Sequence, residues 1–121
     1  MTKINSAVII DFSEIDNFIN QKTLEYYGAK NIRTFKKADE ALRFLEETDS
    51  GFQLIIVGNN IPVLNGFDFI AKFNTLGLHT KHGKVILLSA FFTPDEIEDA
   101  IKKEIHYLSK PLIIEQVLQY L

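Results

Sequence analysis

In this 121-residue chain, the residues with reactive side chains stand where short apolar runs end. Asp11 follows Ala7-Val8-Ile9-Ile10, Ser89 follows Val85-Ile86-Leu87-Leu88, and Lys110 comes two residues after Tyr107-Leu108. If the runs are strands, a carboxylate, a hydroxyl and an ammonium share the edge where open α/β sheets keep their chemistry. Lys110 could pair with Asp11 or attract a small anion, and Ser89 could satisfy backbone groups at its strand end. The fourth run, Leu54-Ile55-Ile56-Val57, ends in Gly58, which has no side chain. A glycine there suits a backbone with positive φ, or close approach by Phe12 or Lys110. His79 and His82 lie near a turn, but no neighbouring Asp, Glu or Cys completes a metal set, so none is expected. Zero cysteines exclude disulfides, thiol catalysis and thiolate-bound metal.

The elements that position these residues follow from hydrophobic period and end signals. Strands are expected over 7–10, 31–35, 54–57, 84–88 and 106–108. Ser13-Glu14-Ile15-Asp16 resembles a capping box, with Asp in place of the usual Glu, and opens a helix that Gly28 stops. Ala38, Ala41, Leu42 and Leu45 recur at helical spacing. A helix from 66 to about 76 turns Phe69, Ile70, Phe73 and Leu76 to one side. Thr93-Pro94-Asp95-Glu96 carries a capping threonine, a first-turn proline and a glutamate three residues on. The helix it starts buries Ile97, Ala100 and Ile101, and a last helix covers 113–121. Strict alternation of five strands with five helices predicts a doubly wound parallel sheet with right-handed crossovers.

Residues 1–121 form one domain, large enough to bury a core without metal or disulfides. A net charge of -3 offers no global basic surface for nucleic acid or anionic lipid. No apolar run approaches the roughly 20 residues that span a bilayer, and the first one is too short for a signal peptide. The expected location is the cytoplasm.

The edge residues resemble, across the whole chain, those of a response regulator receiver domain. That family has an acidic pair after its first strand and a phosphate-accepting aspartate after the third. A proline follows that aspartate by four residues, then Asp-Gly or Asn-Gly. Thr or Ser ends the fourth strand, and Lys-Pro ends the fifth. Here Ile61-Pro62-Val63-Leu64-Asn65-Gly66, Ser89-Ala90 and Lys110-Pro111 match, and Tyr107 matches the switch aromatic. Counting back four from Pro62 lands on Gly58, where the aspartate would be. Asp11 matches the first acid of the pair, and Phe12 stands in place of the second.

The resemblance implies a flavodoxin-like sheet in the order 2-1-3-4-5 with a cis bond before Pro111. It also implies that phosphoryl chemistry has been lost. Glycine offers no nucleophile, and Asp11 alone would hold Mg²⁺ only weakly. Phe12 is expected to put an apolar ring where a hydrated cation would sit. The expected function is that of a pseudo-receiver in two-component or phosphorelay signalling, with no catalytic residue and no cofactor. It would act by binding a protein partner or a second copy of itself, through a face that includes Phe91, Phe92 and Tyr107. Two other readings are a conventional receiver using another carboxylate and a flavodoxin-like cofactor binder. The second would want a hydroxyl- and glycine-rich loop after the first strand, where this chain has Asp11-Phe12-Ser13-Glu14.

Overall fold

The structure, a computed structural model, describes residues 3–121. Five strands, β1 (Ser6–Ile10), β2 (Asn31–Phe35), β3 (Leu54–Gly58), β4 (Lys84–Ser89) and β5 (His106–Ser109), form one parallel sheet in the order β2-β1-β3-β4-β5. The helices between and after them are α1 (Glu14–Tyr26), α2 (Ala38–Glu47), α3 (Gly66–Thr75), α4 (Pro94–Lys102) and α5 (Ile114–Leu118). The peptide bond before Pro111 is cis. A short 3-10 turn over Leu78–Thr80 was not foreseen from the sequence; it follows Gly77, whose φ of 71° ends the α3 segment. The last helix is shorter than the expected 113–121.

Alternation along the central strands divides the core into two layers. Val8 and Ile10 of β1 pack with Ile55 and Val57 of β3 and with the inward faces of α2 and α3. Ala7, Ile9, Leu54 and Ile56 face the other way, toward Leu24 of α1 and Ile114 and Val117 of α5. Strands buried on both faces read as unbroken apolar runs, which is why β1, β3 and β4 stand out in the sequence.

Local signals account for most element ends. Ala38, Ala41, Leu42 and Leu45 are all buried along α2. Thr93 and Glu96 form a reciprocal capping box at the start of α4, with Pro94 in its first turn. Asn65 caps α3 by accepting a hydrogen bond from the Asp68 N–H at 2.9 Å. Two expected core positions are corrected: Leu76 lies beyond the last turn of α3, and Ile101 sits in the last turn of α4, and both are exposed.

Candidate functional site

The carboxyl ends of β1, β3, β4 and β5 bring Asp11, Gly58, Ser89 and Lys110 to one edge of the sheet, as their positions in the chain require. Asp11 is buried and fully engaged. Its Oδ1 accepts from the Ser13 N–H at 2.9 Å, and its Oδ2 lies 2.8 Å from Lys110 Nζ. Its backbone N–H donates to Phe35 O, and its carbonyl accepts from Asn17 Nδ2. Lys110 Nζ has a second carboxylate at 2.8 Å, Oδ2 of Asp16 in the first turn of α1. Burial opposes the ammonium charge. The hydrogen bonds and charges of Asp11 and Asp16 outweigh it and hold the Lys110 pKa above the ordinary lysine value.

Asp16 was not singled out in the sequence, and the signal for it was there. A complete capping box needs the third helical residue to reach back to the Ser13 N–H. Ser13 Oγ does accept from the Asp16 N–H at 3.2 Å, but the Ser13 N–H is taken by Asp11. The Asp16 carboxylate is thereby released toward Lys110. An aspartate where the box prefers glutamate was the visible trace of this arrangement.

Gly58 does not have positive φ; among the described glycines only Gly28 and Gly77 do. A Cβ built there would lie 3.1 Å from Asp11 Oδ2, 3.4 Å from Asp11 Cγ and 3.5 Å from Ile10 O. The close approach at Gly58 is therefore made by Asp11, not by Phe12 or Lys110 as the sequence suggested. The Phe12 ring is half exposed, with Lys36 Nζ over its face 5.5 Å from the centroid, and the atoms nearest a Cβ at Gly58 belong to Asp11 and Ile10.

The neighbouring loops are closed by their own hydrogen bonds. Ser89 Oγ donates to Phe91 O at 2.9 Å. Buried Asn59 donates from Nδ2 to Glu96 Oε2, and Glu96 Oε1 accepts from the Thr93 N–H at 2.8 Å. The Thr93 backbone bond, aided by Asn59, holds the Glu96 carboxyl below its ordinary pKa despite an opposing effect of burial. Glu96 thus caps α4 and ties it to the end of β3. The loop from Asn59 to Asn65 turns sharply at Val63, which has a φ of 72° and an exposed side chain, while the Leu64 N–H reaches Pro62 O at 2.8 Å.

Of the three aromatics placed on the partner face, Phe91 is 69% exposed and Phe92 only 7%. The Phe92 ring packs edge-on to Tyr107 with centroids 5.4 Å apart. Phe92 is therefore core, a correction to its expected place on the surface, and Tyr107 is half-buried against it.

His82 is a structural residue. Its Nδ1 accepts from the Phe52 N–H and its Nε2 faces Leu45 O, each at 2.9 Å, and burial pushes its pKa below the ordinary imidazole value. With both ring nitrogens engaged it has none free for a metal. Among the described residues, no three His, Asp or Glu side chains converge as metal ligands.

The family profile of the response regulator receiver domain matches residues 7–121. The chain belongs to that family. A two-component response regulator from Cytophaga hutchinsonii is similar to this receiver domain at 25% identity and a TM-score of 0.85, over 98% of this chain and 95% of the other. A response regulator receiver protein from Dyadobacter fermentans gives 25% identity and a TM-score of 0.80, over 93% and 91% of the two chains. The receiver domain of the Arabidopsis thaliana histidine kinase CKI1, solved as a complex with Mg²⁺, shares the fold at 16% identity and a TM-score of 0.80, over 95% and 90%. No curated protein matches in sequence. This receiver is thus a domain of the two-component and phosphorelay type, and no described helix is long and apolar enough to cross a membrane.

A hard ion needs several free carboxylate oxygens. Asp11 gives one oxygen to Ser13 and the other to Lys110, Phe12 offers carbon, and Gly58 offers nothing. The two carboxylates and one ammonium of the cluster leave one net negative charge, spread over groups already paired.

Proposed function

We propose that this receiver domain signals without being phosphorylated at its third-strand position and without Mg²⁺, as a protein-interaction module rather than an enzyme. One observation carries the reading: Asp11 leans over Gly58, where a phosphate-accepting side chain would project, and pairs there with Lys110. The lysine that would meet a phosphoryl group is neutralised by two internal carboxylates instead. Such an edge has one charge arrangement, present at all times, so the fold offers its partner faces constitutively. Phe91 is the exposed aromatic of the β4–α4 loop and the part of the expected switch face open to a protein partner.

The test is to incubate the protein with acetyl phosphate and Mg²⁺ and to follow its intact mass. The expected result is no change under conditions that label an intact receiver. A stoichiometric gain of one phosphoryl group would overturn the proposal. Peptide mapping would then separate Asp11 from Asp16, the carboxylates nearest the site.

A further inference from the structure

Two helices of the same sheet use their faces in opposite ways. Helix α2 buries Ala38, Ala41, Leu42 and Leu45 and exposes Asp39, Glu40, Arg43 and Glu46, as a surface helix should. Helix α1 buries Asn17, Asn20 and Leu24 and exposes Ile15 (71%), Phe18 (60%), Ile19 (50%) and Tyr26 (85%). The inward asparagine has a use: Asn17 Nδ2 donates to the carbonyls of Asp11 and Phe35 at the ends of β1 and β2. Among the described residues, neither core layer takes in the outward apolar row. Ile15, Ile19, Lys22 and Tyr26 follow at i, i+4, i+7 and i+11, one continuous stripe along the solvent face.

We propose that this face of α1 is the contact of a two-fold dimer, in which α1 packs antiparallel against α1 of a second copy. Charge supports this occupant. An isologous interface sets a patch against itself, so a net charge on it would repel. Each of the four charged residues of α1 has an ion-pair partner within the chain, and the one unbalanced charge, in the Asp11, Asp16 and Lys110 cluster, lies at the sheet edge. Glu14 pairs with Lys36, Asp16 with Lys110, and Lys22 with Glu25. Lys22 also lies over the Phe18 ring, 5.4 Å from its centroid, which leaves its apolar stem along the stripe. Sizes match as well: with the axis near the middle of the helix, Ile15 of one copy faces Tyr26 of the other, and Ile19 faces the Lys22 stem. Area is sufficient. The exposed parts of Ile15, Phe18, Ile19, Tyr26 and neighbouring Tyr27 present roughly 600 Å². Two copies then bury about 1,200 Å², the lower end of the range for specific complexes. The contact lies on the α1 face and needs no phosphoryl group, so it stands whether or not Gly58 has ended phosphorylation.

Sedimentation equilibrium from about 1 to 300 µM, an affinity range typical of modest interfaces, reads the proposal directly. The expected result is an average mass that climbs from monomer toward dimer. Ile19→Glu should raise the dissociation constant more than tenfold with an unchanged circular dichroism melt. Tyr26→Glu, at the most exposed position, gives a second readout should the first variant fold poorly. The chain has no cysteine, so single-cysteine variants report the register. A short bismaleimide should join Ile15→Cys to Tyr26→Cys in a mixture and leave Ile15→Cys alone unjoined. A monomer at every concentration would overturn the proposal and assign the face to a different protein. Dimerisation unaffected by both glutamates would overturn it equally, and crosslinking of Ile15→Cys to itself would exclude the antiparallel arrangement.

Discussion

Two glycines bound the loop between β3 and α3, and they are there for different reasons. At Gly66 a Cβ would lie 2.3 Å from Leu87 Cδ1 and 2.7 Å from the Gly58 carbonyl oxygen. One neighbour is a buried core side chain and the other is backbone, so the start of α3 can approach β3 only if residue 66 has no side chain. At Gly58 the nearest atom is the Asp11 carboxylate at 3.1 Å, the end of a side chain that can shift. Packing requires the first glycine and merely accommodates the second. That difference bears on the proposed reading: packing does not require residue 58 to lack a side chain, so steric need alone does not account for this glycine.

The largest effect should come from Gly66. Gly66→Ala forces Leu87 and the Gly58 peptide apart, and overpacking of this kind costs about 3 kcal/mol. Urea unfolding should show the midpoint falling sharply with little change in slope. A loss below about 1 kcal/mol would mean that the β3–α3 junction is softer than its contacts suggest, and the contrast with Gly58 would collapse.

An intermediate effect is expected when Gly58 is given the family's side chain. Gly58→Asp places a third carboxylate beside Asp11 and Asp16, with Lys110 as the one ammonium between them. Like charges in a shared site disfavour ionisation of one of them, and a loss of about 2 kcal/mol at neutral pH follows. Lowering the pH should relieve it, because protonating one carboxyl removes the repulsion. Adding Phe12→Asp supplies the second acid of the pair, and the double variant should bind Mg²⁺ far better than Gly58→Asp alone. Isothermal titration with Mg²⁺ checks this. Equal, negligible binding by both variants would show that the Lys110 cluster, rather than the two missing acids, keeps the cation out.

How much of this was legible in the sequence depended on distance along the chain. The strands, the sheet order, the α2 stripe and the Thr93 capping box rest on local patterns and on one family resemblance, and the structure has them. Gly58, Asp11, Ser89 and Lys110 could be brought to one edge for the same reason: each ends a strand. The meeting of Lys110 with Asp16, 94 residues apart, had no local signature beyond an aspartate in a glutamate's place. The direction of the Phe12 ring was not legible, because its position next to Asp11 fixes where its backbone lies, not which way the ring turns; Lys36, the residue after β2, lies over its face. The exposed face of α1 was hidden for a different reason: a helix is expected to turn its apolar residues inward, and only burial shows that α1 turns asparagines in and apolar residues out.

The smallest effect should come from Gly58→Ala, and it bears most directly on the comparison. Residue 58 has no left-handed backbone, so alanine adds no φ strain. Replacing glycine at a compatible position stabilises by about 0.4–1 kcal/mol, because the unfolded chain has less freedom to lose. Against that gain, the new Cβ presses on Asp11 Oδ2 and Cγ, at 3.1 and 3.4 Å. The carboxylate must give by a few tenths of an ångström, which loosens its 2.8 Å contact with a partly exposed Lys110. Such an adjustment costs about as much as the entropy gain, since the ion pair is itself worth about 1 kcal/mol. The two nearly cancel, and the unfolding free energy of Gly58→Ala, from urea titration, should lie within about 0.5 kcal/mol of the parent. If Gly58→Ala instead loses as much as Gly66→Ala, residue 58 is held to glycine by packing. Its lack of a carboxylate would then be a steric consequence of how Asp11 sits, and only Phe12 and Lys110 would support the proposed absence of phosphorylation.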